Sequence, residues 1–250
     1  MKTDFLIIGG GVAGLAAANV LSERGADVVL LEEGSYPAHK MCGEFLSPEA
    51  IPILTEWGII PEVLINHIRF VFPKKEWTMP LPSQGAAISR FRLDQALAER
   101  AVKNGAVLMT NASVEDIKID PLKVTLKTGD VWEAKALLLS VGRLVSKLAK
   151  QKTPVFPYIG SKAHFSGTAE GLTMFLMPNA YFGLSPVGPN TVNVAGIFKS
   201  SMTERKEALI SFLNQPATEG LKESLNKYEP LFEWMVNPVP EFGVRQVPHW

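Results

Sequence analysis

Residues 4–32 read Asp4-Phe-Leu-Ile-Ile-Gly9-Gly10-Gly11-Val-Ala-Gly14-Leu-Ala-Ala-Ala-Asn-Val-Leu-Ser-Glu-Arg24-Gly25-Ala-Asp27-Val-Val-Leu-Leu-Glu32. Residues 4–8, a short apolar run bounded by glycine, have the form of a buried parallel strand. From Val12 the pattern turns helical: Leu15, Ala18 and Leu21 share a face, and Gly25 is a natural stop. Residues 27–32 are a second apolar run, so the stretch is a βαβ unit, whose host is a doubly wound α/β sheet. Its glycines spell G-x-G-x-x-G at Gly9, Gly11 and Gly14, with Ala13 inside the motif. Gly9 permits a tight turn, Gly11 lets the backbone approach a pyrophosphate, and Gly14 lets helix and strand pack closely. Gly10 is read as an unconstrained position, so Gly10→Ala is expected to be milder than Gly11→Val. Phosphates would sit on the free N–H groups at the helix start. Glu32, 18 residues after Gly14, is placed to accept from both ribose hydroxyls; its neighbour Glu33 is the other candidate. The competing reading is a glycine-rich turn that binds no nucleotide.

Outward from this unit, turn formers fill 34–50 and a short helix leads to Gly58. Residues 65–90 read as strands and loops outside the main sheet. A helix at 92–104 closes on Gly105, and strands follow at 106–109 and 112–119. Residues 122–127 and 131–135 flank Thr128-Gly129-Asp130 as a hairpin, and 136–141 is another apolar strand. After about 153 come strands at 155–165, 172–177, 180–186 and 190–198, then helices at 203–214 and 217–227. The expected organisation is a dinucleotide-binding domain over 1–150, with an inserted segment at about 60–90, and a substrate-side mixed sheet with helices over 151–250.

Composition narrows the function. Lys plus Arg and Asp plus Glu are 25 each, and this balance argues against a nucleic-acid binder. The single Cys42 excludes an internal disulfide and any multi-cysteine metal site. No apolar run is long enough for a transmembrane helix. Lys2, the apolar stretch and Ala16–Ala18 imitate a secretory signal, but Asp4 and three consecutive glycines argue against one, so a cytoplasmic protein is expected.

Two further stretches choose between cofactors. Lys40-Met-Cys42-Gly43-Glu44 follows the second strand, and Arg90-Phe-Arg-Leu-Asp94-Gln-Ala-Leu97 opens a helix. Here the sequence resembles the FAD-dependent oxidoreductases of the geranylgeranyl-reductase type, relatives of the flavin monooxygenases and flavin halogenases. The resemblance spans about residues 4–245. It implies a Rossmann-like FAD-binding domain, with Cys42 and Gly43 on a loop near the flavin and Arg90 helping to hold the cofactor. It adds Val114 and Gly142 to the cofactor-binding candidates. It implies an oxidoreductase for an apolar small molecule, with reduction of isoprenoid double bonds as one reading and monooxygenation as the alternative. NAD(P)H or another donor would supply electrons, and peripheral membrane contact is compatible with such a substrate. No side chain stands out as an obligatory acid or base.

Three departures temper the resemblance. Ser140-Val141-Gly142 stands where many members carry Ala-Asp-Gly. Tyr181-x-Gly183-x-Ser185-Pro186 replaces the aromatic Tyr-x-Trp-x-Phe-Pro of the isoprenoid reductases, and the halogenase Trp-x-Trp-x-Ile-Pro is absent. No Gly-Asp-Ala follows residue 198, so the family's second flavin segment is expected to be missing, and a non-catalytic nucleotide-binding remnant or fragment is the third reading. Individual residues stay open between two roles: Glu44 as a substrate-positioning group or a solvated loop carboxylate, His164 as substrate-facing or structural. Phe165, Phe175, Tyr181 and Phe182 line a pocket or form core.

Overall fold

In a computed structural model the described residues are 1–142 and 158–239. They fall into two compact units. One comprises Met1–His39 and residues 90–142, the other Lys40–Ser89 and residues 158–239.

The first unit is built on a six-stranded sheet in the order β6-β2-β1-β9-β8-β7. Its strands are β1 (Lys2–Ile8), β2 (Val28–Leu31), β6 (Val107–Met109), β7 (Val114–Ile119), β8 (Leu122–Leu126) and β9 (Val131–Leu139). β6, β2, β1 and β9 run parallel, and β9, β8 and β7 form an antiparallel meander. Ile8 pairs with Leu31 on one side and Leu139 on the other, so the three central strands end level. In open α/β sheets ligands bind off that carboxyl edge. Leu6 and Ile8 of β1 and Val29 and Leu31 of β2 share an apolar cluster with Val124, Leu126 and Trp132 of the meander. The period-two alternation of a strand turns Ile7 and Leu30 to the opposite face. α1 (Val12–Glu23) packs on α3 (Arg90–Lys103) and on β2. Asn19, wholly buried, joins the helices: Nδ2 donates to the carbonyls of Leu15 and Leu97 at 2.9 and 2.8 Å, and Oδ1 accepts from Arg100.

The second unit is a nine-stranded mixed sheet in the order β14-β10-β13-β12-β11-β4-β5-β3, with β15 also on β10. Its strands are β3 (Phe45–Leu46), β4 (Val63–Phe72), β5 (Lys75–Ala87), β10 (Tyr158–Ser166), β11 (Leu172–Met177), β12 (Ala180–Gly188), β13 (Thr191–Lys199), β14 (Glu229–Pro230) and β15 (Met235–Val239). α2 (Ala50–Glu56) follows β3; α4 (Arg205–Leu213) and α5 (Glu219–Leu225) follow β13. One sheet face carries Ala163, Phe165, Phe175, Phe182, Leu184, Val192, Val194 and Phe198, which form an apolar core with Ala208, Leu209 and Phe212 of α4 and Leu221 of α5. Phe198 and Phe212 stack with centroids 4.5 Å apart.

Two expectations differ from what is observed. The hairpin arm at 131–135 and the strand at 136–141 are one continuous β9, because Glu133 pairs with both Lys123 and Lys2. A division near residue 150 with an insert from about 60 also differs from the observed units, since the chain enters the second unit at Lys40. The physical reason lies in β3: Phe45 and Leu46 pair with Ala87 and Ala86 of β5, drawing the preceding loop with them. The expected strand at 155–165 is described from Tyr158 onward; its first residues, and 247–250, lie outside the described residues.

Candidate functional site

The turn between β1 and α1 is tied from several directions. Gly9 has φ +101°, and a Cβ there would lie 2.5 Å from the Ser140 carbonyl oxygen, so only glycine fits. A Cβ on Gly14 would lie 2.0 Å from the Gly9 carbonyl oxygen, which is the close strand–helix approach expected of the motif's third glycine. Gly11 is different: a Cβ there meets nothing nearer than Arg90 Nη2 at 3.9 Å, so the space in front of it is open. Gly11 caps α1 with no side-chain bond, and the first turn, which includes Ala13, has no acidic residue. The leading N–H groups of a helix have no intrahelical acceptor, and this end is left electropositive for an anion.

Glu32 sits against the turn. It is 8% exposed; Oε2 accepts from the Gly10 N–H at 2.7 Å and Oε1 from the Gly34 N–H at 3.2 Å. A carboxylate offers about four acceptor positions, and two backbone donors of the turn use this one. Glu33 is exposed. Glu32 is therefore the acidic residue that the fold brings to the motif.

Gly10 corrects the sequence reading. A Cβ there would lie 1.8 Å from Tyr36 Oη and 3.0 Å from Glu32 Cβ, so the position is confined by side chains rather than unconstrained. Tyr36 Oη donates to the Gly10 carbonyl at 2.6 Å. Burial first, then the charges of Glu32 and Asp94, push the phenol well above its ordinary range, keeping it a neutral donor. Nothing in the local sequence marks Tyr36, because its partner lies 26 residues earlier. Ser140, noted only as a departure, also closes the turn: its hydroxyl donates toward the carbonyls of Gly9 and Ile8 at 2.6 and 3.0 Å.

Arg90, at the start of α3, makes a bidentate pair with the fully buried Asp94, both contacts at 2.7 Å. Two of five guanidinium donors are thereby fixed and the plane is oriented, with Nη2 toward the space in front of Gly11. Val114 opens β7 and packs on the apolar cluster of the sheet. Gly142 is exposed with φ +59°. The geometry thus brings together Gly9, Gly11, Ala13, Gly14, Glu32 and Arg90, and leaves Glu33 outside that group.

Cys42 and Gly43 lie in the other unit. Cys42 is a half-buried free thiol whose Sγ accepts from the Glu44 N–H at 3.3 Å. Glu44 is no solvated loop carboxylate. Its side chain is wholly buried, Oε1 meets Lys162 Nζ at 2.5 Å and Oε2 meets His164 Nε2 at 2.7 Å. Burial alone would raise its pKa; the His164 hydrogen bond and the Lys162 charge outweigh that and hold it below the usual glutamate range. His164 is likewise buried and structural in its contacts. Of the aromatic set, Phe165, Phe175 and Phe182 are core, whereas Tyr181 is 42% exposed. Among the described residues no group of three or more His, Cys, Asp or Glu could hold a metal ion, and no helix is long and apolar enough to cross a membrane.

Residues 4–43 match the family described as FAD dependent oxidoreductase. A menaquinone reductase of Mycobacterium tuberculosis is 28% identical over 155 residues, covering 56% of this chain and 38% of that protein. Protein FixC of Escherichia coli O157:H7 is 33% identical over 181 residues, covering 64% and 42%. The chain thus spans about two fifths of the length of these curated relatives. Among solved structures, the flavin-dependent brominase Bmp2 superposes with a TM-score of 0.79 at 17% identity, covering 95% of this chain and 67% of that one. The chain shares the brominase's Rossmann-like α/β architecture. Residues 4–43 carry the N-terminal signature of that family, and the fold is the one the brominase shows.

Proposed function

We propose that this chain binds FAD along the Gly9–Gly14 turn and serves the reduction of an apolar, prenyl-type organic molecule. The carrying observation is the prebuilt cradle: open space at Gly11, an uncapped helix start behind it, and Glu32 fixed beside it. These residues fit the adenosine diphosphate half of FAD. The α1 N–H groups would hold the pyrophosphate, Glu32 would accept from the ribose hydroxyls, and Arg90 would add positive charge beside the phosphates. Cys42 and Gly43 are assigned to the flavin half by the sequence resemblance. When bound, the flavin supplies hydride transfer; the chain supplies orientation and exclusion of water.

Menaquinone, the molecule in the name of the mycobacterial relative, is of the apolar class proposed here. NAD(P)H or another reductant would recharge the cofactor. The rival reading is monooxygenation, favoured by the shared fold with a flavin-dependent brominase.

Gly11→Val tests the cradle. A branched side chain there fills the phosphate volume, so FAD affinity, read by flavin fluorescence titration, is expected to fall below detection while the melting temperature is little changed. Equal affinity for variant and wild type overturns the placement. Substrate turnover without oxygen supports reduction; stoichiometric oxygen uptake supports the rival.

A further inference from the structure

Lys162, Glu44 and His164 put three titratable side chains into one interior site, each with side-chain exposure of 5% or less. Burying ionic groups is costly, and apolar residues of similar size often serve stability as well or better. Their contacts converge on one short segment. Lys162 Nζ donates to the Lys40 carbonyl at 2.9 Å as well as to Glu44. Asn193, opposite His164 in the β10–β13 register and wholly buried, donates Nδ2 to the Cys42 carbonyl at 3.2 Å. Ile88 N–H donates to the Glu44 carbonyl. The carbonyls of Lys40 and Cys42 are therefore bound from β10 and β13, and that of Glu44 by the residue that follows β5. Glu44 itself has φ +60°, a left-handed conformation that an L-residue keeps only when its surroundings impose it. The Glu44 N–H donates to Cys42 Sγ at 3.3 Å. Asn193 Oδ1, on the amide that binds Cys42, is buried and has no partner among the described residues.

We propose that Lys162, Glu44 and His164 are positioning residues that lock the Lys40–Glu44 segment and hold the Cys42 thiol in one fixed geometry. Glu44 is the hinge of the arrangement: its carboxylate binds Lys162 and His164 while its backbone N–H holds the sulfur. Lys162 and His164 act through Glu44 and do not themselves meet the thiol. That the locked thiol stands beside the flavin rests on the reading of the previous subsection; the lock itself does not.

Cys42 is the chain's single cysteine, so thiol alkylation reports this segment alone. The experiment measures the iodoacetamide rate on the folded, flavin-free full chain, with FAD affinity titrated separately on the same proteins. A failure of the flavin reading appears only in the titration. The variants are Glu44→Leu/Lys162→Leu, His164→Leu and His164→Gln. The double variant removes both charges and is expected to keep a melting temperature near wild type, yet to alkylate at least tenfold faster. His164→Gln retains an N–H donor for Glu44 and is expected to alkylate within about twofold of wild type; His164→Leu is expected to be several-fold faster. A folded double variant alkylating at the wild-type rate overturns the proposal. If the double variant does not fold, the His164 pair decides, and equal rates for Leu and Gln overturn it.

Discussion

Replacing Gly10 by alanine adds one methyl group at a point where the structure has no room for it. The new Cβ would lie 1.8 Å from Tyr36 Oη and 3.0 Å from Glu32 Cβ. The phenol must move, and its 2.6 Å bond to the Gly10 carbonyl goes with it. A lost hydrogen bond costs about 0.5–1.5 kcal/mol and overpacking about 1–3 kcal/mol, so destabilisation of about 2–4 kcal/mol is expected. FAD binding should weaken too, because the Gly10 N–H positions Glu32. The decisive assay is a double-mutant cycle with Tyr36→Phe, followed by urea denaturation. Removing the hydroxyl leaves Tyr36 Cζ as the nearest ring atom, 3.1 Å from the new Cβ, which a small shift relieves. Gly10→Ala should therefore cost at least about 1 kcal/mol less in the Tyr36→Phe background, a coupling in the range found for residues in contact. Wild-type stability for Gly10→Ala, or strict additivity in the cycle, refutes the reasoning.

Glu32→Gln should weaken FAD binding about 10- to 100-fold, the value of losing charge-assisted hydrogen bonds of about 1.5–3 kcal/mol, whereas Glu33→Gln should leave the fluorescence titration unchanged. Asn19→Leu strands the Leu97 carbonyl and the Arg100 contact between α1 and α3, and should lower unfolding free energy in urea by about 2–4 kcal/mol. The pH dependence of Glu44 has a definite sign. Its pKa is lower folded than unfolded, so its ionisation stabilises the fold above the ordinary glutamate value of about 4.3, and this contribution is lost as pH falls through the lower folded value. The stability gap between wild type and Glu44→Gln should be widest above about pH 5 and narrow steadily below about pH 4 in a urea–pH series.

What could be read from sequence follows a physical rule. β1, α1 and β2 are local: strand, turn and helix are specified by contiguous residues, and the glycines announce the turn. Strands β10 to β13 of the second unit were legible from their apolar runs and Gly/Pro boundaries, whereas β4 and β5 read only as strands and loops. Contacts made across the chain were not. Gly10 is confined by Tyr36, and Ser140 locks Gly9 from the far end of β9. Lys162 lies in the run Tyr158–Phe165, where a lone lysine gives no hint that its counter-charge is Glu44, 118 residues earlier. A loop glutamate reads as solvated because nothing nearby in sequence can cover it. The one available signal was a lysine inside a strand bordered by apolar residues, which when buried needs an anion nearby.

β1 lies between β2 and β9, and its second edge is completed only by Glu133–Leu139. During synthesis β2 follows β1 within some thirty residues. The other edge of β1, flanked by Leu6 and Ile8, then waits for more than a hundred further residues before its partner leaves the ribosome. Unpaired apolar strand edges recruit other chains. The nascent chain therefore passes through a long interval in which its nucleotide-binding turn is already encoded but its central strand is half-paired. Pairings this distant in sequence are also slow to find. Ribosome-stalled chains ending before residue 131 should accordingly engage chaperones, and those extending well past residue 142 should release them.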